Sequence, residues 1–278
     1  MEVSIQEVID HKKLSPQELE KEWEKIEIYH KKFKNVNKNS FVGNKIIYHF
    51  MLQHLLKVKK PNGKSFIEIM NDPELKNKLI DQVQKRNRTG TMANRMFECW
   101  RINTGSVVFF KVPQSIYLYT YFGATKVLDP TAGWGGRAIG ALLCGIEYTG
   151  IDTNMDLKES YDQMLDGKKG ITMIWKNCLD VDFSNIDYDF VLTSPPYANT
   201  EIYQHMTPWK DSDDFHTNFL IPLINKCIAH CKGKVCINIS PQLYKQLTVK
   251  HKYTPCSETI DLKEQKNGKT SDNIYIWN

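Results

Sequence analysis

The segment Ser194-Pro195-Pro196-Tyr197 follows an apolar, strand-like run at residues 189–193 and combines groups suited to an amine substrate. Two consecutive prolines fix φ and withhold N–H donors, so nearby carbonyl groups are held as rigid acceptors. An exocyclic amine on a base is a poor nucleophile because its lone pair is conjugated into the ring. If Ser194 Oγ and the Pro195 carbonyl accepted its two N–H hydrogens, that lone pair would be localised. Tyr197 would stack on a base swung out of its helix; the structural alternative for the segment is a proline-terminated edge loop.

A glycine-rich turn lies earlier in the chain, where an apolar strand runs into Asp129-Pro130-Thr131-Ala132-Gly133-Trp134-Gly135-Gly136. Such a turn lets backbone approach a ligand and aims helix N–H groups at it, although a tight strand-to-helix turn is the plain alternative. The full Gly-x-Gly-x-x-Gly register of dinucleotide sites is missing, so a ligand with an amino-acid end fits better. Asp129 would lie near its amine and Gly133 and Gly135 beneath its adenosyl group. Asp152, at the end of the next strand, would bind the ribose, and Asp180 is either an adenine partner or a helix N-cap.

Together the two motifs resemble those of the amino-methyltransferase family of DNA enzymes, which share (Asp/Asn/Ser)-Pro-Pro-(Tyr/Phe/Trp) and Asp-Pro-x-x-Gly-x-Gly. The resemblance covers about residues 105–278. It implies S-adenosyl-L-methionine as the cofactor, with Pro130 and Thr131 among the residues that bind it and Phe110 flanking it. In that family the serine form is associated with cytosine N4 and the Asp/Asn form with adenine N6, so cytosine is favoured. The sequences around both motifs also look like methylases of phages and large DNA viruses.

The positive charge of the chain is concentrated at its N-terminal end. Residues 1–100 hold 19 Lys and Arg against 13 Asp and Glu, whereas residues 101–278 hold 18 against 19. Four of the five arginines, Arg86, Arg88, Arg95 and Arg101, fall within sixteen positions. Arginine suits bidentate phosphate contact, so Arg86, Arg88 and Arg95 are predicted to bind nucleic acid, the alternative being a solvated face.

Only 63 residues separate Thr131 from Ser194, which leaves no room for a large recognition domain between the two motifs. Sequence readout is therefore expected either to come from the N-terminal segment, with residues 86–101 as the contact, or to be short and permissive. The loop from Ala198 to Asp214 is the candidate lid over a flipped base, and Tyr203 within it is a candidate substrate contact.

Periodicity predicts an α/β protein in which a seven-stranded, doubly wound Rossmann-like sheet, of the methyltransferase type by resemblance, follows an N-terminal helical segment. Residues 1–104 are the basic, mainly helical part, and residues 105–278 the catalytic domain. Strands are predicted at residues 127–129, 148–152, 171–175, 190–193, 234–239, 259–262 and 274–277. Helices are predicted at residues 15–33, 43–56, 73–84, 136–144, 155–165, 215–231 and 242–248.

Composition excludes several classes of protein. No apolar run approaches the roughly 18 residues of a membrane span, and the N-terminus lacks a secretory pattern, so a cytoplasmic protein without membrane contact is expected. Seven scattered cysteines predict free thiols, and their spacing argues against a metal site. The expected partner is nucleic acid, double-stranded DNA above all, while the oligomeric state stays open. RNA or a protein glutamine as acceptor, and a catalytically silent nucleic-acid-binding subunit, are the alternatives.

Overall fold

The sheet is the centre of the fold in the computed structural model. The model describes residues 3–31, 38–86, 88–104, 109–197, 202–203, 205–206, 208–262, 265–266, 269–270 and 272–278. Within these residues seven strands form one sheet: β1 (Lys126–Asp129), β2 (Glu147–Asp152), β3 (Ile171–Trp175), β4 (Phe190–Thr193), β5 (Lys234–Ile239), β6 (Glu258–Asp261) and β9 (Asn273–Trp277). A separate small hairpin of β7 (Gln265–Lys266) and β8 (Lys269–Thr270) lies between β6 and β9 in the chain. The predicted seven-stranded α/β sheet is confirmed, and each predicted strand agrees with the observed one to within a residue.

The strand order is β3-β2-β1-β4-β5-β9-β6. Strands β1 to β5 are parallel, whereas β9 runs antiparallel to both of its neighbours. The order reverses at β1, which lies between β2 and β4. In open α/β sheets such a reversal opens a crevice at the carboxyl ends of the strands, and ligands bind there.

Both faces of the sheet are buried at its centre, which explains why β1, β4 and β5 are almost continuously apolar. Phe190 and Leu192 of β4 face one core and Val191 faces the other. Helices α7 (Val112–Phe122), α8 (Gly136–Leu143) and α9 (Lys158–Met164) cover the first face. A helix that begins as α10 (Ser212–Phe215), passes through a π turn (His216–Leu220) and continues as α11 (Ile221–His230) covers the second, together with α12 (Pro241–Lys245) and a π turn at Gln246–Lys250.

The N-terminal part contains six helices within its described residues: α1 (Ile5–Asp10), α2 (Pro16–Lys31), α3 (Asn44–Leu55), α4 (Phe66–Met70), α5 (Pro73–Lys85) and α6 (Met92–Thr104). Helices α2 and α3 pack into the core of the sheet, where Ile26 and Ile47 lie with Ile116 and Ala138. Helices α1, α4, α5 and α6 enclose a smaller core of their own that includes Phe66. The hydrophobic core is thus continuous across residue 104.

Three predicted helices of the N-terminal part are present, at α2, α3 and α5, although residue 33 lies outside the described residues. The sequence reasoning missed α1, α4, α6 and α7. Among the helices of the described residues, none combines the length and apolar character that a membrane span requires.

Candidate active site

A cleft of about 1060 Å³ lies at the carboxyl ends of β1 to β5. Its walls include the glycine-rich turn after β1, Asp152 at the end of β2, and the segment that follows β4. A cleft of this size is slightly above the range for small-molecule sites, about 300–1,000 Å³. It therefore has room for a cofactor-sized ligand and a second group beside it.

The two sequence motifs meet inside this cleft. Thr131 of the turn and Thr193, the last residue of β4, share a hydrogen bond of 2.6 Å between their hydroxyl groups. All four residues of the predicted catalytic segment line the cleft: Ser194, Pro195, Pro196 and Tyr197. The parallel pairing of β1 with β4 explains the meeting, because neighbouring parallel strands end at the same edge of the sheet.

Asp152 ends β2 and lines the cleft; the sequence predicts that this carboxylate binds the ribose of the cofactor. Its carboxylate accepts hydrogen bonds from the backbone N–H groups of Gly133, at 2.8 Å, and Asn154, at 2.9 Å. Burial raises the pKa of Asp152 above its ordinary 3.8, although the two N–H donors partly oppose that shift. A carboxylate has about four acceptor sites, so this one keeps capacity for the hydroxyl groups of a ligand.

Asp129 does not face the cleft, which corrects the prediction that it would contact the amine of a ligand. Its side chain is 0% exposed and is held by Arg137, whose Nε donates to Oδ2 at 2.6 Å. The Tyr148 hydroxyl donates to the same oxygen at 2.6 Å, and the Thr131 N–H donates to Oδ1 at 3.3 Å. Asp129 therefore holds the glycine-rich turn from within the core and is not part of the cleft lining.

Arg137 is the residue that the sequence reasoning left without a role. Burial opposes its charge, but the carboxylate of Asp129 outweighs that effect and raises the pKa of the guanidinium. Arg137 also donates to the Thr131 carbonyl and lies 5.3 Å from the centre of the Phe110 ring. Both Arg137 and Phe110 line the cleft.

The two glycines predicted to lie beneath a ligand differ in their surroundings. Gly133 lines the cleft with φ +59°, and a Cβ there would meet only the Thr131 carbonyl, at 3.8 Å. Gly135 lies away from the cleft lining, and a Cβ at Gly135 would come within 2.6 Å of Met164 Cε. Gly135 thus allows α9 to pack closely against the turn, while Gly133 and Pro130 form part of the cleft surface.

Asp180 is exposed and lies outside the cleft lining, so the structure does not bring it to the predicted adenine site. It closes a short 3₁₀ helix, Cys178–Asp180, which is capped by the side chain of Asn177. Asn177 and Lys176 line the cleft in its place. Burial raises the pKa of Cys178 to about 12, so this cleft-lining thiol is not a ready nucleophile.

The arginine cluster divides into different roles. Arg95 of α6 is half-buried and donates to the Val83 carbonyl at 3.1 Å, which joins α6 to α5 and gives this arginine a structural role. Arg86 donates to Asn103, and Asn103 lines the cleft at the end of α6. Arg88 is exposed. Arg86 therefore lies against a residue of the cleft lining, whereas Arg88 lies on the surface.

The candidate lid is described at residues 202–203, 205–206 and 208–214, and Ala198 lies outside the described residues. Tyr203 lines the cleft, with its ring 6.1 Å from that of Trp134. Ile202 exchanges two backbone hydrogen bonds with Lys59, and His205 Nε2 lies 3.1 Å from Asp156 Oδ1. The loop is thus attached both to the N-terminal part and to the segment after β2.

Asn238 is a second site residue that the sequence reasoning missed. It is 6% exposed, lines the cleft and accepts a hydrogen bond from Ser194 Oγ at 3.2 Å. A signal was present in the sequence, because Asn238 interrupts an apolar strand close to its carboxyl end, where the ligands of α/β proteins bind.

Several solved structures are similar to part of the chain. TrmN from Thermus thermophilus is 14% identical over 59% of this chain and 48% of its own length, with a TM-score of 0.46. A SAM-dependent methyltransferase from Agrobacterium tumefaciens is 17% identical over 61% of this chain and 62% of its own, with a TM-score of 0.44. An rRNA methylase from Streptococcus thermophilus is 13% identical over 61% and 96%, with a TM-score of 0.42. The chain spans about half the length of the first of these, and similarities this weak do not bear on activity.

No family model matches the sequence, and no curated protein matches it either. The case for a function therefore depends on the geometry of the cleft.

Proposed function

We propose that this protein is an S-adenosyl-L-methionine-dependent methyltransferase that modifies an exocyclic amine of a base in double-stranded DNA, with cytosine N4 favoured over adenine N6. The observation that carries the proposal is the shared cleft, in which Ser194-Pro195-Pro196-Tyr197 lies beside the glycine-rich turn and Asp152. A methyl donor and an acceptor amine bound at these two places would be neighbours. Bringing reacting groups together in this way is a major source of rate acceleration.

The fit of the cofactor to the cleft is supported by three features. Asp152 is a partly satisfied carboxylate suited to ribose hydroxyl groups. Gly133 leaves open space where a side chain would project, and the Tyr161 hydroxyl holds the Gly133 carbonyl at 2.9 Å. The rings of Phe110 and Trp134 add apolar surface to the same wall. The cofactor would supply an electrophilic methyl group to this site.

The acceptor side is formed by Ser194, Pro195 and Tyr197. Pro195 is buried and therefore held in place, whereas Ser194 and Tyr197 are partly exposed to the cleft. The Ser194 oxygen and the Pro195 carbonyl would accept the two N–H hydrogens of the amine and turn its lone pair toward the methyl group. Tyr197 would stack on the base, which offsets part of the stacking lost when the base leaves the duplex.

Nucleic acid is proposed to approach over the rim where the N-terminal part meets the cleft. Lys60, Lys176 and Asn103 line the cleft, and Arg86 lies against Asn103. Positive charge at this rim would attract phosphates. We retain residues 1–104 as the proposed recognition segment, with Arg86 and Arg88 as its phosphate contacts and Tyr203 as a contact to the substrate.

The test of the activity is direct. The protein is incubated with labelled S-adenosyl-L-methionine and either duplex DNA or RNA, and the nucleic acid is then digested to nucleosides. N4-methylcytosine in DNA is the expected product. N6-methyladenine would support methyl transfer to an exocyclic amine but show that adenine, and not cytosine, is the target base. Ser194→Ala should reduce the product to a small residual amount, and Ser184→Ala, at an exposed serine outside the cleft lining, should leave it unchanged. Label in RNA alone, or in a glutamine of protein, would overturn the proposed substrate.

The nucleic-acid surface has its own test. Each lost phosphate contact lowers the slope of log affinity against log salt by about 0.9 on duplex DNA. Arg86→Ala with Arg88→Ala should therefore flatten that slope by up to about 1.8. Arg95→Ala is the matched control, because Arg95 joins two helices and should change stability without changing the slope. An unchanged slope in the double variant would remove Arg86 and Arg88 from the interface.

A further inference from the structure

Asn238 lies where three strands bring their ends together. Parallel pairing sets Thr193 of β4 opposite Ile237 of β5, so the next residues along, Ser194 and Asn238, are neighbours. Antiparallel pairing of β5 with β9 brings the first residue of β9, Asn273, to the same point. Asn238 contacts both: it accepts from Ser194 Oγ at 3.2 Å, and its Nδ2 donates to the Asn273 carbonyl at 3.2 Å.

The direction of these two hydrogen bonds is fixed by chemistry. The Asn273 backbone carbonyl can only accept, so the NH₂ group of Asn238 must point toward it. The amide oxygen of Asn238 must then face Ser194. Because that oxygen can only accept, the Ser194 hydroxyl has to be the donor.

A serine hydroxyl that has donated its hydrogen keeps two lone pairs and offers only acceptor capacity to other partners. A freely rotating hydroxyl would spend part of its time with its hydrogen directed at an approaching N–H group, which is repulsive. We propose that Asn238 is a positioning residue that holds the Ser194 hydroxyl as an acceptor for the amine of the substrate. The inference rests on the proposed methyltransferase function and adds to it a residue that acts through Ser194.

The first test is Asn238→Ala, which removes the acceptor. We expect kcat to fall by about tenfold, the size of one neutral hydrogen bond at the transition state. The KM for S-adenosyl-L-methionine should stay unchanged, because Gly133 follows β1 and Asp152 ends β2, whereas Asn238 lies in β5 and is separated from β1 by β4. Thermal unfolding of the variant, measured in parallel, identifies any loss of folded protein.

The pH dependence of kcat in Asn238→Asp is a readout that would not change if Asn238 had only a structural role. The ionised carboxyl group can accept from Ser194 but places an oxygen against the Asn273 carbonyl. The protonated group has one donor and one acceptor, as the amide has, so protonation restores the original pattern. Burial raises the pKa of such a carboxyl, since the side chain at position 238 is only 6% exposed. The kcat of this variant, taken as a ratio to wild type to cancel other titrations, should therefore rise as the pH is lowered from about 8 to about 5.

The third test is a double-mutant cycle. If Asn238 acts only through Ser194, Asn238→Ala should cause no further loss of kcat in the Ser194→Ala background, using a sensitive single-turnover assay for the residual rate. Additive losses, a KM effect without a kcat effect, or a pH-independent Asn238→Asp ratio would each overturn the inference. Wild-type turnover in the same assay reports separately on the proposed function, because that function requires wild-type methyl transfer whatever Asn238 does.

Discussion

The buried pair between Arg137 and Asp129 predicts a large loss of stability from one substitution, Arg137→Met. The two side chains are 5% and 0% exposed and their closest atoms lie 2.6 Å apart. Removal of one member of a buried ion pair costs about 3–5 kcal/mol, because the other charge is left without compensation. Hydrogen bonds from Tyr148 and the Thr131 N–H remain on the Asp129 carboxylate and reduce the loss. We therefore expect Arg137→Met to lower the free energy of unfolding by about 4 kcal/mol.

The measurement is equilibrium unfolding in urea, with Arg101→Met as the matched control. Arg101 pairs with Glu98 at 3.0 Å, but its side chain is 42% exposed, and exposed pairs contribute about 1 kcal/mol or less. A triple variant, Arg137→Met with Asp129→Leu and Tyr148→Phe, removes the stranded charge and its hydroxyl partner together. It should recover about 2 kcal/mol or more of the loss.

Two results would refute this reasoning. If Arg137→Met costs no more than Arg101→Met, the pair is not effectively buried. If the triple variant is less stable than Arg137→Met alone, the loss comes from packing and not from an uncompensated charge on Asp129.

Three further outcomes follow from the same structure. The affinity for S-adenosyl-L-methionine should fall as the pH is lowered toward the pKa of Asp152, which burial raises above 3.8, because the protonated acid loses acceptor capacity. In calorimetry, the Asp152→Asn variant should bind S-adenosyl-L-methionine about 10- to 100-fold more weakly and show no such pH dependence. Gly140→Ala should destabilise the fold by about 1–3 kcal/mol in urea unfolding, since the new Cβ would come within 2.0 Å of Ser115 Oγ, and an unchanged midpoint would contradict this packing. His205→Ala should leave the unfolding midpoint unchanged, because its contact with Asp156 is exposed, yet lower kcat/KM for the nucleic acid by about two- to fivefold; equal kcat/KM would show that this attachment of the loop does not matter for turnover.

The strands could be predicted almost to the residue, while α7 beside them could not, and burial explains the difference. A strand buried on both faces is a short apolar run bounded by turn residues, which the sequence shows directly. Helix α7 is buried over most of Val112–Tyr119 and carries many aromatic and β-branched residues. It therefore lacks the polar face that marks a surface helix. Helix α6 opens with a threonine cap, in which the Asn94 N–H donates to Thr91 Oγ1 at 3.3 Å, so its start was marked in the sequence and was overlooked.

The candidate site was predictable where chemistry is encoded in consecutive residues. Pro195, Pro196 and Gly133 act through backbone geometry, and a short motif carries that information. Asn238 depends on strand order and on the antiparallel placement of β9, which bring together residues 44 apart at one hydrogen bond. No local pattern encodes such a meeting.

Asp129 and Asp152 show why residue type and strand position did not suffice to assign roles. Both end neighbouring parallel strands, and both are carboxylates beside the same glycine turn. What separates them is Arg137, which lies eight residues after Asp129 at the start of α8, reaches back to Asp129 and neutralises it within the core. Asp152 has only backbone N–H donors from the described residues, so its negative charge remains available to the cleft. A substitution that released Asp129 from Arg137 would therefore leave a second carboxylate without a charged partner beside the same glycine-rich turn, where it would compete with Asp152 for the backbone N–H donors. For that reason we expect Arg137→Met to weaken binding of the cofactor even under conditions in which the variant stays folded.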